Sequence, residues 1–320
     1  MPVAINKFMR AALKALSYPD ISIKETYTLE RSIKAIGARR LLRPLYRQWD
    51  REIVVDGRAI PVRVYPPKSV ADRDLNEVAD HTLVFFHGGG WVKETVETYD
   101  HVCTSLARNT GANVVSVEYR LAPEHKFPQG LEDCYAVARE LYLRPDKLGL
   151  FSDHLTLIGD SAGANLAAAV SLLARDRGEF KVERQILIYP AVHWDHSETS
   201  PFDFVRDNGT DYLLTARRVN EYIELYRNTV ADMTSPYFSP LLADLHDQPH
   251  TMIITAEYDL LRDEGEAYAA ALRQAGNRVC QYRMKDALHG FFSLPSRFAH
   301  VKRTYALIDA FLNEEPDDDE

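Results

Sequence analysis

Basic residues are scarce in this chain. Lysine and arginine number 38 against 47 aspartates and glutamates in 320 residues, for a formal net charge of -9. Phosphate backbones are bound by clustered cations, so nucleic acid is not expected as a partner. Cysteine is scarcer still. Cys103, Cys134 and Cys280 are odd in number, far apart and form no C-x-x-C. That argues against a disulfide framework and fits reduced, mostly packed thiols in a cytoplasmic protein. Long apolar runs are missing too. Residues 155–174 approach the length of a bilayer span but contain Asp160, Asn165 and two glycines, so a strand followed by a helix explains them better. At the N-terminus, Lys7, Arg10 and Lys14 interrupt the apolar residues before a secretory core can form. Val3, Phe8, Ala12 and Leu16 fall roughly on one helical face, which suggests an amphipathic helix packed on the protein rather than a membrane anchor. There is no internal repeat, and the only biased tract is the acidic, solvated EEPDDDE at the end.

What is present is an ordinary globular composition, 46% apolar and 27% charged, arranged in alternation. EIVV, Asp56-Gly57 and AIPVRVY read as a hairpin. The polar residues 68–80 read as a surface loop. LVFF (83–86), NVVSVEY (113–119), LTLI (155–158), QILIY (185–189), TMIITA (251–256) and RVCQYRM (278–284) read as strands. Helices are expected near 98–109, 128–143, after Ser161, 263–275 and 298–313. Short β-branched runs separated by helices imply βαβ units and a mostly parallel sheet. Ligands of such sheets bind at the carboxyl ends of the strands. Residues 1–50 and 191–240, the latter with a helix near Thr215 to Thr229, are too long for simple loops and are expected to pack together as a cap. The core is then 51–190 and 241–314, followed by a tail at 315–320.

Four segments carry chemistry. Gly159-Asp160-Ser161-Ala162-Gly163 lies between a buried strand and an alanine-rich helix. It fits a plain N-capped turn or a nucleophile elbow, G-x-S-x-G. With glycine and serine each at about 7% of residues, such a pattern arises by chance in about one chain in ten of this length, so the motif needs support. His87-Gly88-Gly89-Gly90-Trp91 follows a strand. It has neither the spacing nor the lysine of a phosphate loop and matches an oxyanion loop, where backbone N–H groups face a substrate carbonyl oxygen. Asp259 follows TMIITA and is preferred over Asp263 as the orienting acid because it lies closer to the strand end; Glu257 is the runner-up. His289 follows the last strand, beside Gly290 and two phenylalanines. The order Ser161, Asp259, His289 is that of an α/β-hydrolase triad. Serine is a poor nucleophile at neutral pH; a histidine takes its proton and an aspartate fixes the imidazole tautomer. The expected oxyanion donors are the N–H groups of Gly88, Gly89 and Ala162.

HGGGW (87–91), YRLAPEHKFP (119–128), GDSAG (159–163), SPLL (239–242), AEYDLLRDEGEAY (256–268) and LHGF (288–291) together resemble the hormone-sensitive-lipase-like family of α/β-hydrolases, esterase family IV, and within it the bacterial acetyl esterases and carboxylesterases. The resemblance covers about residues 50–313. It implies an α/β-hydrolase fold with a mostly parallel eight-stranded sheet flanked by helices under a helical cap. It also implies hydrolysis of small-molecule carboxylic esters, here of short acyl chains, with no cofactor and no metal. One departure is Ala164, where many members carry another glycine; inside a helix alanine is the better former. The 119–128 segment is expected to be a structural loop near the site. Trp91, Asp160, Phe202 and Tyr212 are candidate substrate contacts. His193, Asp195 and His196 read as a cap-entry loop, since a metal site needs three or four preorganised ligands. An amidase or peptidase would share this machinery, and the plant gibberellin receptors resemble the family but lack the histidine that is present here. No membrane partner is expected, and a homo-oligomer is left open.

Overall fold

The computed structural model describes residues 22–40, 49–67, 79–150, 152 and 154–314, together with 11 and 15. The expected N-terminal helical face at Val3, Phe8, Ala12 and Leu16, most of the 68–80 loop and the 315–320 tail lie outside the described residues. The hairpin forms β1 (Trp49–Val55) and β2 (Arg58–Tyr65). Its turn uses positive φ at Asp56 (50°) and Gly57 (78°), the backbone that such two-residue turns require. The remaining strands are β3 (His81–Phe86), β4 (Asn113–Val117), β5 (His154–Asp160), β6 (Arg184–Ile188), β7 (His250–Tyr258) and β8 (Val279–Leu288). They make one eight-stranded sheet in the order β1-β2-β4-β3-β5-β6-β7-β8. β1 and β2 pair antiparallel, as do β2 and β4; the other pairings are parallel.

Both faces of the sheet are covered, which is why the strands read as continuous apolar runs. Along β3, Val84 and Phe86 enter one core while Leu83 and Phe85 enter the other, as strand alternation requires. The first core holds the helices Gln129–Leu143, Ala162–Arg177 and Arg262–Gln274; the second holds Asp100–Thr110 and Ala299–Leu312. Numbered in chain order, with Ile23–Arg40 as α1, these are α2 (Asp100–Thr110), α3 (Gln129–Leu143), α4 (Ala162–Arg177), α7 (Arg262–Gln274) and α8 (Ala299–Leu312), while α5 (Asp203–Asn208) and α6 (Ala216–Tyr226) belong to the 191–240 insertion. Among the described residues no helix is long and apolar enough to cross a membrane.

The insertion and α1 sit over the loops that follow the strands. Ile23 donates its backbone N–H to Glu221 of α6. Arg31 donates to the carbonyls of Val92 and Ala122, both at 2.7 Å, and pairs with Glu124 at 2.9 Å. The α6 helix is shorter than its sequence suggests: Thr215 caps it through the Arg218 N–H, and Arg227 is already extended. β8 is longer than expected. It continues past Met284 to Leu288 through an irregularity opposite Ala256 and Tyr258, where Asp286 takes φ 57° and its N–H is held by the Glu257 carboxylate.

Two glycines decide how β5 meets α4. A Cβ on Gly159 would lie 2.3 Å from the carbonyl carbon of Gly163, and one on Gly163 would lie 1.9 Å from the carbonyl oxygen of Phe86. Helix preference alone would favour alanine at Gly163 by about 1 kcal/mol. A clash with fixed backbone oxygen opposes this and should exceed it, since overpacking costs about 1–3 kcal/mol or more. Gly163→Ala should therefore lower the urea midpoint; an equal or higher midpoint would refute this account of the elbow.

Candidate active site

The turn between β5 and α4 holds Ser161 at φ 54° and ψ -119°, and its side chain makes no capping hydrogen bond to the helix. This is not the extended backbone of an ordinary serine N-cap. Its N–H is tied to the Ile188 carbonyl at 2.9 Å, so the strained residue is fixed from the neighbouring strand. Ser161 Oγ lies 3.0 Å from His289 Nε2. On the other side of the ring, His289 Nδ1 lies 2.8 Å from Asp259 Oδ2. Asp259 is 1% exposed, and its second oxygen accepts the Leu261 N–H at 3.0 Å, which leaves one oxygen directed at the imidazole. Glu257 instead holds the Asp286 N–H, and Asp263 pairs with Arg262 and caps Phe204. Burial acts to lower the His289 pKa, but the adjacent Asp259 carboxylate outweighs it and raises the group above its ordinary 6.5. A hydroxyl, a base and an orienting acid in this contact can pass a proton from Ser161 to His289 and stabilise the imidazolium that results.

The glycine loop follows β3, the strand beside β5 in the sheet. The N–H of Gly88 donates to Asp160 Oδ1 at 2.9 Å. The backbone N–H groups of Gly89, Gly90 and Ala162 have no protein acceptor among the described residues. Ala162 is the first residue of α4, where an N–H has no intrahelical partner. Of the three expected donors, Gly89 and Ala162 thus have N–H groups without a protein acceptor among the described residues, while that of Gly88 is bonded to Asp160. Tyr119 braces this loop from beneath, donating to the His87 carbonyl at 2.8 Å with its ring stacked 4.4 Å from the His87 ring.

A family model for the alpha/beta hydrolase fold matches residues 83–293, more than half the chain. An arylesterase of Saccharolobus solfataricus is 34% identical over 253 residues, 79% of each chain. An ethyl acetate hydrolase of Pseudomonas putida is 35% identical over 244 residues, 75% of this chain and 74% of that protein. Among solved structures, a hyperthermophilic esterase from Pyrobaculum calidifontis superposes with a TM-score of 0.80 at 38% identity, covering 96% of this chain and 97% of that one. The thermostable carboxylesterase EstE1, cloned from a metagenomic library, also gives 0.80 at 35% identity, covering 92% and 97%. The chain belongs to the hormone-sensitive-lipase-like esterases of the α/β-hydrolase fold.

Several residues expected to contact substrate take other places in the esterase. Asp160 is 2% exposed and turned inward. It accepts from Tyr99 Oη at 2.9 Å, Tyr189 Oη at 3.2 Å and Gly88 N. Burial pushes its carboxyl above the ordinary 3.8, although all three donors favour the ionised form. Through Gly88 it supports the glycine loop. Trp91 is also buried, its ring stacked 4.6 Å from Tyr226 of α6, so it joins the loop to the insertion. Tyr212 is buried between Phe204 and Tyr258, while Phe202 is half-buried with its edge toward His193. His193, Asp195 and His196 diverge. Asp195 binds Ser197 and Thr199, the His193 ring accepts the Asp195 N–H, and His196 lies 2.6 Å from Glu264. The last pair is fully buried; burial opposes charge on His196, but Glu264 raises its pKa overall. Glu264 also accepts the N–H groups of Val192 and His193, and so clamps the start of the insertion to α7. Sequence reasoning passed over Glu264 and the tyrosines Tyr99 and Tyr189. The only signal was a glutamate one turn into a helix that begins just past Asp259.

A general base must be neutral, so kcat/KM should fall as pH drops through the His289 pKa, and this limb should lie above pH 6.5. Asp259→Asn should shift the limb to lower pH and reduce kcat by about 10⁴, through the wrong tautomer. Glu257→Gln should do neither. A pH–rate profile of the three proteins checks this, and the reverse ranking of the two variants would name Glu257 as the acid.

Proposed function

We propose that this esterase hydrolyses soluble short-chain acyl esters through an acyl-enzyme formed on Ser161. His289 acts as the base and then the acid, and Asp259 orients it. The observation that carries the reading is the pair of contacts on one imidazole, 3.0 Å to Ser161 Oγ and 2.8 Å to Asp259 Oδ2. In this reading Ser161 attacks the ester carbonyl carbon while its proton passes to His289 Nε2. The tetrahedral oxyanion is held by the N–H groups of Gly89, Gly90 and Ala162; one such donor is worth about 2.7–4 kcal/mol elsewhere. His289 protonates the departing alcohol, then activates water to release the acid and free the serine. The names of the relatives, an arylesterase and an ethyl acetate hydrolase, support small esters as substrates.

The cap supports a short acyl chain. We read residues 1–50 and 191–240 as that cap over a catalytic core of 51–190 and 241–314. In α6 the apolar residues Val219, Ile223 and Tyr226 are already buried, and the exposed positions carry Arg217 and Glu224. A lid that opens onto a lipid surface would present a broad apolar face instead. Each methylene that fits the pocket should add about 0.8 kcal/mol until the pocket is full, at about two to six carbons, and preference should then drop. Measuring kcat/KM across p-nitrophenyl esters reads this directly, with Ser161→Ala lowering kcat by about 10⁶ as the control. Rates that climb through about twelve carbons, or that jump at an oil–water interface, would indicate a lipase instead.

A further inference from the structure

The N-terminal ends of β7 and β8 lie at the opposite border of the sheet from Asp259 and His289, and three ligand-type side chains meet there. His250 opens β7, Cys280 is the second residue of β8, and Glu314 follows the end of α8. Cys280 Sγ is 3.5 Å from His250 Nε2, and Glu314 Oε2 is 4.0 Å from the same nitrogen. All three ligand atoms lie within 4.8 Å of one another. We propose that His250, Cys280 and Glu314 bind one zinc-like divalent cation, with water as the fourth ligand.

The geometry is close to what such an ion requires. With Zn–S about 2.3 Å and Zn–N and Zn–O about 2.0–2.2 Å, tetrahedral ligand atoms stand roughly 3.3–3.7 Å apart. The histidine–cysteine edge already has this length. A movement of about 1 Å by the half-exposed Glu314 carboxylate closes the other two edges. The donor set of thiolate, imidazole and carboxylate suits zinc or cobalt, whereas magnesium and calcium prefer oxygen alone.

The ligands are also held in place without the ion. Arg184 donates to the carbonyls of Leu312 and Glu314, which fixes the chain as it leaves α8. The His250 ring lies 4.6 Å from the Phe311 ring, and the His250 N–H is bonded to the Glu183 carbonyl. Cys280 pairs in register with Met252, two residues along from His250. The guanidinium of Arg278 lies 3.3 Å from Glu314 Oε2 and is the local competitor for that carboxylate; its side chain is 42% exposed and can turn outward. Entry is open, because all three ligands are only partly buried. Cys103 and Cys134 are buried, so Cys280 is the thiol that an ion in solvent can reach.

On binding, the Cys280 S–H bond breaks, its proton goes to solvent, and a sulfur–metal bond forms with no change in oxidation state. Nothing in this site touches the triad, so its test is independent of ester hydrolysis. The full-length protein, without a polyhistidine tag, is titrated with Co²⁺. The expected result is a sulfur-to-cobalt charge-transfer band that saturates at one equivalent and is displaced by Zn²⁺. Cys280→Ser should abolish the band while hydrolysing ester at the wild-type rate, and Glu314→Gln should weaken binding about tenfold or more. Zinc should raise the Tm of the wild type but not of Cys280→Ser, because it binds only the folded chain. Absence of the band at one equivalent would overturn the proposal. So would a band that survives in Cys280→Ser or in His250→Ala.

Discussion

The contact on which the site depends is the approach of α4 to the end of β3, where Gly163 comes so close to the Phe86 carbonyl that no methyl group fits between them. Packing at that distance brings the start of the helix up against the glycine loop. It also forces the chain to turn within one residue, and Ser161 takes the strained φ. Local strain of this kind, of order 1–3 kcal/mol, persists only where the surroundings over-determine it. Here the surroundings are a parallel sheet buried on both faces, with the Ser161 N–H tied to the adjacent strand. Ser161 is partly exposed, while Asp160, Ala162 and Gly163 on either side of it are buried.

Asp160 extends the same constraint into electrostatics. A carboxylate with three donors in a low-dielectric interior rigidifies its neighbours while all the bonds are made, and becomes costly if one is lost. Its donors come from the glycine loop, from Tyr99 just before α2, and from Tyr189 after β6. Tyr189 also lies 4.7 Å from the His289 ring. One buried group therefore connects the turn at Ser161, the glycine loop and the tyrosine that lies against His289. Glu264 does the comparable task for the insertion, holding its first residues to the helix that follows Asp259.

What could be read in the sequence follows from how local each signal is. Ser161, Asp259 and His289 each stand just past an apolar run, and a strand end followed by a turn is visible within ten residues. The sheet was legible for the same reason. The direction of Asp160 was not, because its partners lie 61 residues before it and 29 after it. Gly88 looked like its neighbours for want of that same information. Trp91 read as a pocket wall because its stacking partner, Tyr226, belongs to a distant helix. β8 was cut short at Met284 because Lys285 and Asp286 look like a loop, whereas an irregular pairing carries the strand on. Cys280 passed as one more packed thiol, since nothing in its own segment announces a histidine 30 residues earlier.

β8 is the last strand in the sheet order, with β7 on one side and, among the described residues, no strand on the other. The proposed base, His289, stands just beyond that border strand, while the proposed nucleophile, Ser161, stands at the end of β5 in the middle. The two halves of the proposed proton relay thus rest on a border strand and on a central one, and local opening need not reach both together. Loosening at the border would carry the imidazole away from a serine that is still correctly turned. On heating, the time course of inactivation would then record the detachment of a margin, while spectroscopic signals from the central strands persisted.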